Sequence, residues 1–332
     1  GTISDAQIRI RGERDRLGEE VPRRNIEILG GHELSDPSNS SGRLDLARWV
    51  IDDNKHLLAR VMVNRIWQYH FGRGLVLTPN DFGTRGNTPS HPRLLDFLAQ
   101  SFIDSGFNIN HLHHLILESA TYRQSSVNSS VDDTHDPANR LVWKFNARRI
   151  PAENIRDSWM FVSGVLDPSM GGAHPFPAVS SWGFSQHAPF YGNYDIDYRS
   201  IYLMTQRIRR HPFLSLFDGA DTNASTPVRV ETTVPTQALY LLNSDVVHDQ
   251  ATETAKLVIA HTTNDNERLN TLYERTLTRR PSDKEFEEDL SFLSSYGEEL
   301  ATQMLDDDEL ELRAWSALSR ILITSNEFLT IE

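Results

Sequence analysis

The chain has 332 residues, 33 basic against 46 acidic side chains for a formal charge of −13, a hydrophobic content of 38%, and no cysteine. Those figures describe a globular protein long enough to bury a core in about two lobes, and they exclude disulfides, thiolate catalysis, iron–sulfur ligation and covalent haem attachment within the chain. No apolar run reaches the roughly 20 residues that span a bilayer, and Gly1 opens no signal peptide or transit sequence, so the chain reads as an excised piece of a longer polypeptide.

Residues 1–42 read as an irregular N-terminal segment, with a short strand over 8–11, an extended piece opening at Val21-Pro22, and a Ser/Asn/Pro/Gly-rich linker over 35–42. Residues 43–166 read as a helical lobe. Leu44, Ala47, Val50 and Ile51 share one face at helical spacing. A second helix runs from about His56 to His70 and stops at Gly72 and Gly74, ahead of a turn-rich loop over 78–83. Ser90 reads as the cap of the next helix, with Pro92 in its first turn, Leu94, Leu95, Leu98 and Phe102 as its buried stripe, and Gly106 as its left-handed stop. Asn110 reads as the cap of a helix to about Thr121, Asp136-Pro137 as the start of another, and Pro151 as the opening of a longer one ending near Gly164.

Residues 167–233 read as loop-rich, and aperiodic stretches as long as 167–198 are usually functional. Ile201 to Met204 forms the best strand in the chain by composition, and 228–230 a second extended piece. A short helix is expected over 213–217. Residues 234–332 read as an acidic helical bundle, with apolar stripes at Leu269, Leu272, Tyr273 and Leu277, at Phe286, Leu290 and Leu293, and at Leu310, Ala314, Leu318 and Ile321. The expected fold class is therefore mainly α, bundle-like, with a long irregular region and one or two short strands. Charge divides along the same line: residues 1–150 carry 19 basic and 18 acidic side chains, and 151–332 carry 14 and 28. So acidic a second half repels phosphate backbones, which disfavours nucleic-acid binding. Arg outnumbers Lys 29 to 4, which suits bidentate pairing with carboxylates.

The segment RVMVNRIWQYHFGRGLVLTPNDFG over 60–83, followed by PSHPRLLDFLAQSFIDSGF and LHHLILESATYRQSS, resembles a planctomycete-specific domain, domain of unknown function 1553. The resemblance continues through DPANRLVWKFNARRIPAENIRDSWMFVSGVLDPSMGG, RSIYLMTQR, FLSLFDGADTN, TTVPTQALYLLNS, LTRRPSDKEF and ILITSNEFL. It implies a C-terminal module of large exported bacterial proteins that follow a companion domain, often with a cytochrome-c-like module and sometimes with inserted sugar-binding β-sandwiches. No activity comes with it. His114 departs from the pattern, which is basic at that position.

The densest polar constellation is Asn64, Arg65, Trp67, His70, Asp81, Arg85 and His91. Asn64 and Gln68 share a helical face with Arg60, and polar groups on so apolar a helix need partners if buried. Two readings stand: a pocket in which Asp81 or His91 handles protons and Arg65 or Arg85 holds an anion, or a buried network that fixes the following loop. His111, His113 and His114 raise a metal reading, and Asp218, Asp221 and Asn223 a calcium reading, though the EF-hand register is missing. An aromatic group, Trp182, Phe184, Phe190, Tyr191, Tyr194 and Tyr198, lies around Asp195 and Asp197 and suits sugar stacking or a partner surface. With Arg207 at the start of a basic stretch through Arg209, Arg210 and His211, it forms a candidate ligand surface. Glu153, Arg156 and Asp157 read as routine helical ion pairing.

The function expected is a non-catalytic binding and scaffolding module of an exported multidomain protein, with no cofactor in this chain, docking companion domains or a glycan. The alternative is a hydrolase of a polysaccharide or ester that uses Asp81, Arg85 and His91, with or without a metal.

Overall fold

A computed structural model describes residues 3–127, 135–171, 196–205, 207, 210–303 and 305–332. The described residues form twelve α-helices, a few short 3₁₀ or π turns and two short antiparallel strand pairs, so the mainly α expectation holds. The chain forms two compact units, Gly1–Asn146 and Ala147–Glu332. They carry formal charges of −1 and −12.

In the first unit, β1 (Ala6–Arg9) and β2 (Leu17–Val21) pair with Ala6 opposite Val21, and a bulge separates Gln7 from Arg9. The helices α1 (Arg43–Arg48), α2 (Lys55–Phe71), α3 (Pro92–Asp104) and α4 (Ile109–Leu117) follow. Ala59, Val63, Ile66, Trp67 and Phe71 recur at three- and four-residue spacing on α2, and they bury against Leu95, Leu98 and Phe102 of α3 and Leu112 and Ile116 of α4. Gly72 stops α2 at φ 77°, a left-handed conformation in which a Cβ would clash with the backbone.

Three boundaries differ from expectation, each because a local hydrogen bond wins. The cap of α3 is His91, while the Ser90 amide (2.9 Å) and hydroxyl (3.3 Å) both donate to the Leu75 carbonyl. The cap of α4 is Asn108, whose side chain accepts from the His111 amide, two residues before the Asn110 expected. Asp136-Pro137 starts turns instead of a helix. The Asp136 carboxylate accepts from the Leu141 amide at 2.7 Å, and Asn139 and Val142 take positive φ.

In the second unit, β3 (Arg148–Arg149) pairs antiparallel with β4 (Thr330–Ile331), so the last residues of this unit close beside its first. Between them run α5 (Ala152–Ser163), α6 (Pro212–Leu216), α7 (Pro235–Asn243), α8 (Asp245–His261), α9 (Asp265–Leu277), α10 (Asp283–Ala301), α11 (Asp307–Ile323) and α12 (Asn326–Leu329). Central α8 packs on α5 through Val247 and Ala251, against Ile155 and Trp159. One turn further on, its Ala255 and Val258 meet Leu269 and Leu272 of α9 and Trp315, Leu318 and Leu322 of α11. The Trp159 indole N–H donates to the Ile323 carbonyl at 2.9 Å, which satisfies the single polar atom of a buried ring.

The strand expected over residues 201–204 is a 3₁₀ turn, Ser200–Tyr202. Among the described residues no strand pairs with it. Instead the Ser200 amide donates to Asp157 at 2.7 Å, which fixes a turn that buries Leu203 and leaves Ile201 81% exposed. Residues 228–230 form no strand either, and Arg229 there makes a two-pronged pair with Glu153 (2.5 and 3.0 Å).

Arginine forms other such pairs. Arg279 grips Glu285 (2.7 and 2.9 Å) and Glu327 (2.6 and 2.7 Å), while Ser282 and Glu285 close a capping box at the start of α10. The Arg279 guanidinium holds the Glu285 carboxyl down to about 2, against an ordinary 4.5. A depressed folded pKa contributes stability above the unfolded value and loses it as pH falls through the folded one. Thermal melts between pH 5 and 2.5 should therefore show Glu285→Gln destabilised at pH 5 and converging on the native chain toward pH 2.5. The gap at pH 5 should be about 1 kcal/mol, because the pair is a third exposed and screened. An equal gap at both pH values would contradict this.

Candidate functional site

The polar constellation on α2 resolves into separate jobs. Asn64 is fully buried, and its amide clamps one residue of the following loop, donating to the Val76 carbonyl (3.0 Å) and accepting from the Val76 amide (2.7 Å). Gly74 lies beneath it, where a Cβ would come within 2.7 Å of the Asn64 amide nitrogen. Arg65 donates to the Asn80 side chain at 3.1 Å on the exposed side. Asp81 accepts from the Gly83 amide at 2.9 Å, an Asx turn. Arg85 is exposed on the same loop, and His91 contacts Ser90 at 3.0 Å. His70 meets His113 at 2.8 Å and the Tyr122 ring edge-on, a contact between α2 and the α4 region that spacing did not suggest.

None of Asn64, Arg65, His70, Asp81, Arg85 and His91 lines a cleft that the first unit forms at the end of α2. That cleft has a volume of about 170 Å³. Trp67 and Phe71, stacked at 4.1 Å, supply an apolar floor together with Leu75. Arg73, Asn87, Ser90, Asn139, Arg140 and Asn146 supply the polar lining. Asn139, buried and at φ 47°, organises one wall. It accepts from the Trp143 amide (2.8 Å) and donates to the Lys144 carbonyl (2.8 Å) and the Asn146 side chain (2.9 Å). Arg73 donates to the Ala138 carbonyl at 2.6 Å, which ties the α2 end of the cleft to the same turn. The amides of Leu141 and Arg140, and then the charges of Arg140 and Arg73, hold the nearby Asp136 carboxyl below its usual range. Among the described residues, Arg73 and Arg140 bring two guanidiniums to this region against the one carboxylate of Asp136. Among the described residues the lining holds no His, Asp, Glu, Lys or Tyr, and its two guanidiniums suit an anion.

In the second unit, α5 places Arg156 so that its buried guanidinium donates to the carbonyls of Ile196 and Tyr198 and to the Ser200 hydroxyl, pinning residues 196–200. Arg156 thus serves the loop more than its helix neighbours. Asp157, 3.8 Å away, receives the Ser200 amide. A cavity of about 180 Å³ adjoins this point, with Trp159, Asp197, His211, Phe213, Tyr240 and Asp249 on its lining.

The expected cation ligands have protein partners. Asp218 accepts from Arg149 (2.5 Å), the Thr232 amide (2.8 Å) and the Thr232 hydroxyl (2.9 Å). Burial pushes its carboxyl up, but the Thr232 and Arg149 bonds outweigh that and hold it below the usual range. Asp221 pairs with Arg210 at 2.6 Å and receives the Asn223 amide, and the Asn223 side chain donates to the Arg207 carbonyl. His111 turns to Ser101, His113 to His70 and His114 toward Glu118, so the three do not share a focus. No group of three or more His, Asp or Glu among the described residues is arranged to hold a metal. Trp182, Phe184, Phe190, Tyr191, Tyr194, Asp195 and Arg209 lie outside the described residues.

Sequence reasoning missed Arg73, Asn87, Asn139, Arg140 and Asn146. The available signal was the Asp-Pro-Ala-Asn-Arg run over 136–140, which is turn chemistry, here read as a helix start. No helix among the described residues is long and apolar enough to cross a membrane.

A search of curated proteins and a search of solved structures each return no match. One family profile, described as PSD1, protein of unknown function (DUF1553), matches residues 42–293, well over half of the chain and including most of the residues of both clefts. The chain belongs to the PSD1 family of proteins of unknown function, DUF1553.

Proposed function

We propose that this chain is a binding and scaffolding module of an exported, multidomain planctomycete protein, and that its first unit recognises a glycan bearing carboxylates. The observation that carries this reading is the composition of the cleft beside α2: two guanidiniums and three side-chain amides above an aromatic floor, with no group that transfers protons near neutral pH. An acidic sugar meets such a surface with its carboxylate on Arg73 or Arg140, its hydroxyls on the amides and its apolar ring face on the floor. Scaffolding rests on charge. A unit of net charge −12 steers a basic companion domain, a cytochrome-c-like module among them, toward itself. Hydrolysis has no comparable support, because Asp81, Arg85 and His91 are absent from the cleft lining.

Calorimetric titration with oligogalacturonate tests the reading. The native chain should bind at low salt and lose affinity as salt rises. Arg73→Ala and Arg140→Ala should each weaken binding by about tenfold or more, the loss of a charge-assisted hydrogen bond of about 1.5–3 kcal/mol. Equal binding by native chain and both variants, or cleavage of the oligomer, would overturn it.

A further inference from the structure

The cavity in the second unit has a chemistry opposite to that of the Arg73–Arg140 cleft. Its inner wall is aromatic: Trp159 and Phe213 lie 5.3 Å apart, and Phe213 and Tyr240 lie 5.6 Å apart. Two acidic residues, Asp197 and Asp249, come to its lining from different elements, the 196–200 segment and helix α8. Both are exposed, and neither side chain has a hydrogen bond or ion pair. Other carboxylates of this unit, Glu153, Asp218, Asp221, Glu285, Glu309, Glu311 and Glu327, are paired with arginines, whereas these two are unpaired and share one cavity lining. Among the described residues the lining also holds Arg156 and the imidazole of His211, and of these Arg156 carries the permanent charge. It stands 3.8 Å from Asp157, and its N–H groups are committed to two carbonyls and a hydroxyl. With Arg156 and Asp157 offsetting each other, Asp197 and Asp249 set the sign of the cavity.

Aromatic faces and carboxylates together are how proteins hold organic ammonium ions, the rings through their negative π faces and the carboxylates through charge. We infer that this cavity is a binding site for a small organic ammonium ion, with Asp197 and Asp249 as its counter-charges and the Trp159–Phe213–Tyr240 run as its aromatic wall. The net charge of −12 on the surrounding unit raises the local concentration of such a cation. The site is separate from the carboxylate-binding cleft and stands or falls independently of it.

The probe is choline, titrated calorimetrically at pH 8 and low salt into the full chain, with 3,3-dimethylbutan-1-ol as its uncharged isostere. Choline should bind saturably at one site, and the alcohol should bind at least about tenfold more weakly, as expected if charge and cation–π attraction supply 1–2 kcal/mol. Asp197→Asn and Asp249→Asn, isosteric changes at exposed positions, should each weaken choline by about five- to tenfold without moving the melting temperature. No binding of choline, equal binding of choline and the alcohol, or unchanged affinity in both Asn variants would overturn the assignment.

Discussion

Asn64→Ala is expected to lose about 3 kcal/mol of stability in urea unfolding, a cost on the scale of truncating a buried aromatic although the side chain is small and polar. The reason is geometric. Val76 is nearly as buried as Asn64, and its N–H and C=O have the Asn64 side chain as partner at 2.7 and 3.0 Å. Alanine leaves both backbone groups unmatched in a dry site, and each such group costs about 1–3 kcal/mol. Asn64→Asp separates the two halves of the clamp. It keeps an acceptor for the Val76 amide but sets a carboxylate against the Val76 carbonyl. At pH 7 it should be at least as destabilised as alanine, recovering as the pH falls toward the carboxyl range, where the protonated acid donates again. Gly74 and Leu75 lie in the clamped segment and also line the cleft, so both variants should lose oligogalacturonate affinity along with stability. An Asn64→Ala protein within 0.5 kcal/mol of native would show that the loop holds its shape without the clamp.

The second large effect is expected at Asp218. Its carboxylate and the Arg149 guanidinium are both about five-sixths buried, and Arg149 also donates to Thr232 and Gln237. Removing the carboxylate strands a largely buried cation and the Thr232 amide together, which places Asp218→Ala at about 3–4 kcal/mol destabilised. Part of that is conformational, because residue 218 sits at φ 61°, where alanine is strained and asparagine is tolerated. Asp218→Asn removes only the charge and one acceptor and should cost about half as much. Because the folded carboxyl is held below its usual range, its contribution is complete above the ordinary aspartate pKa of 3.8 and fades as pH falls through the folded value. Stability measured from pH 6 to pH 2.5 should therefore fall less steeply in Asp218→Asn than in the native chain. Parallel curves would contradict the assignment of that acid sensitivity to Asp218.

The helices that were legible in the sequence share one property: local chemistry and burial agree. On α2 the apolar positions Ala59, Val63, Ile66 and Trp67 repeat at helical spacing, and Gly72 supplies the stop. On α5 a proline opens the helix and Gly164 closes it at φ 77°. Errors arose where a single long-range hydrogen bond outweighed local pattern. Residues 201–204 have strand composition, yet Asp157, more than forty positions upstream, captures the Ser200 amide and turns the chain. Asn108 and Asn110 are equivalent by composition, and the helix starts at Ile109, where Asn108 lies three residues before the His111 amide that it caps.

The candidate site was half legible for the same reason. That Asn64 needs a partner follows from its place on an apolar helix, but its partner is the backbone of Val76, and any residue's backbone looks the same in a sequence. Arg73 and Arg140 are 67 positions apart, and only the fold of residues 136–146 around Asn139 brings them to one cleft.

On the function proposed above, the cleft beside α2 binds carboxylated sugar and leaves it intact. The most direct measurement is nuclear magnetic resonance of the ¹⁵N-labelled chain during titration with trigalacturonate, read at the side-chain amides of Asn87, Asn139 and Asn146 and at the Nε–H groups of Arg73 and Arg140. Saturable shifts confined to those groups are expected, with about tenfold or more trigalacturonate needed to reach them in Arg140→Ala, and the trisaccharide recovered whole. Unmoved resonances at these five residues, or release of shorter sugars, would contradict it.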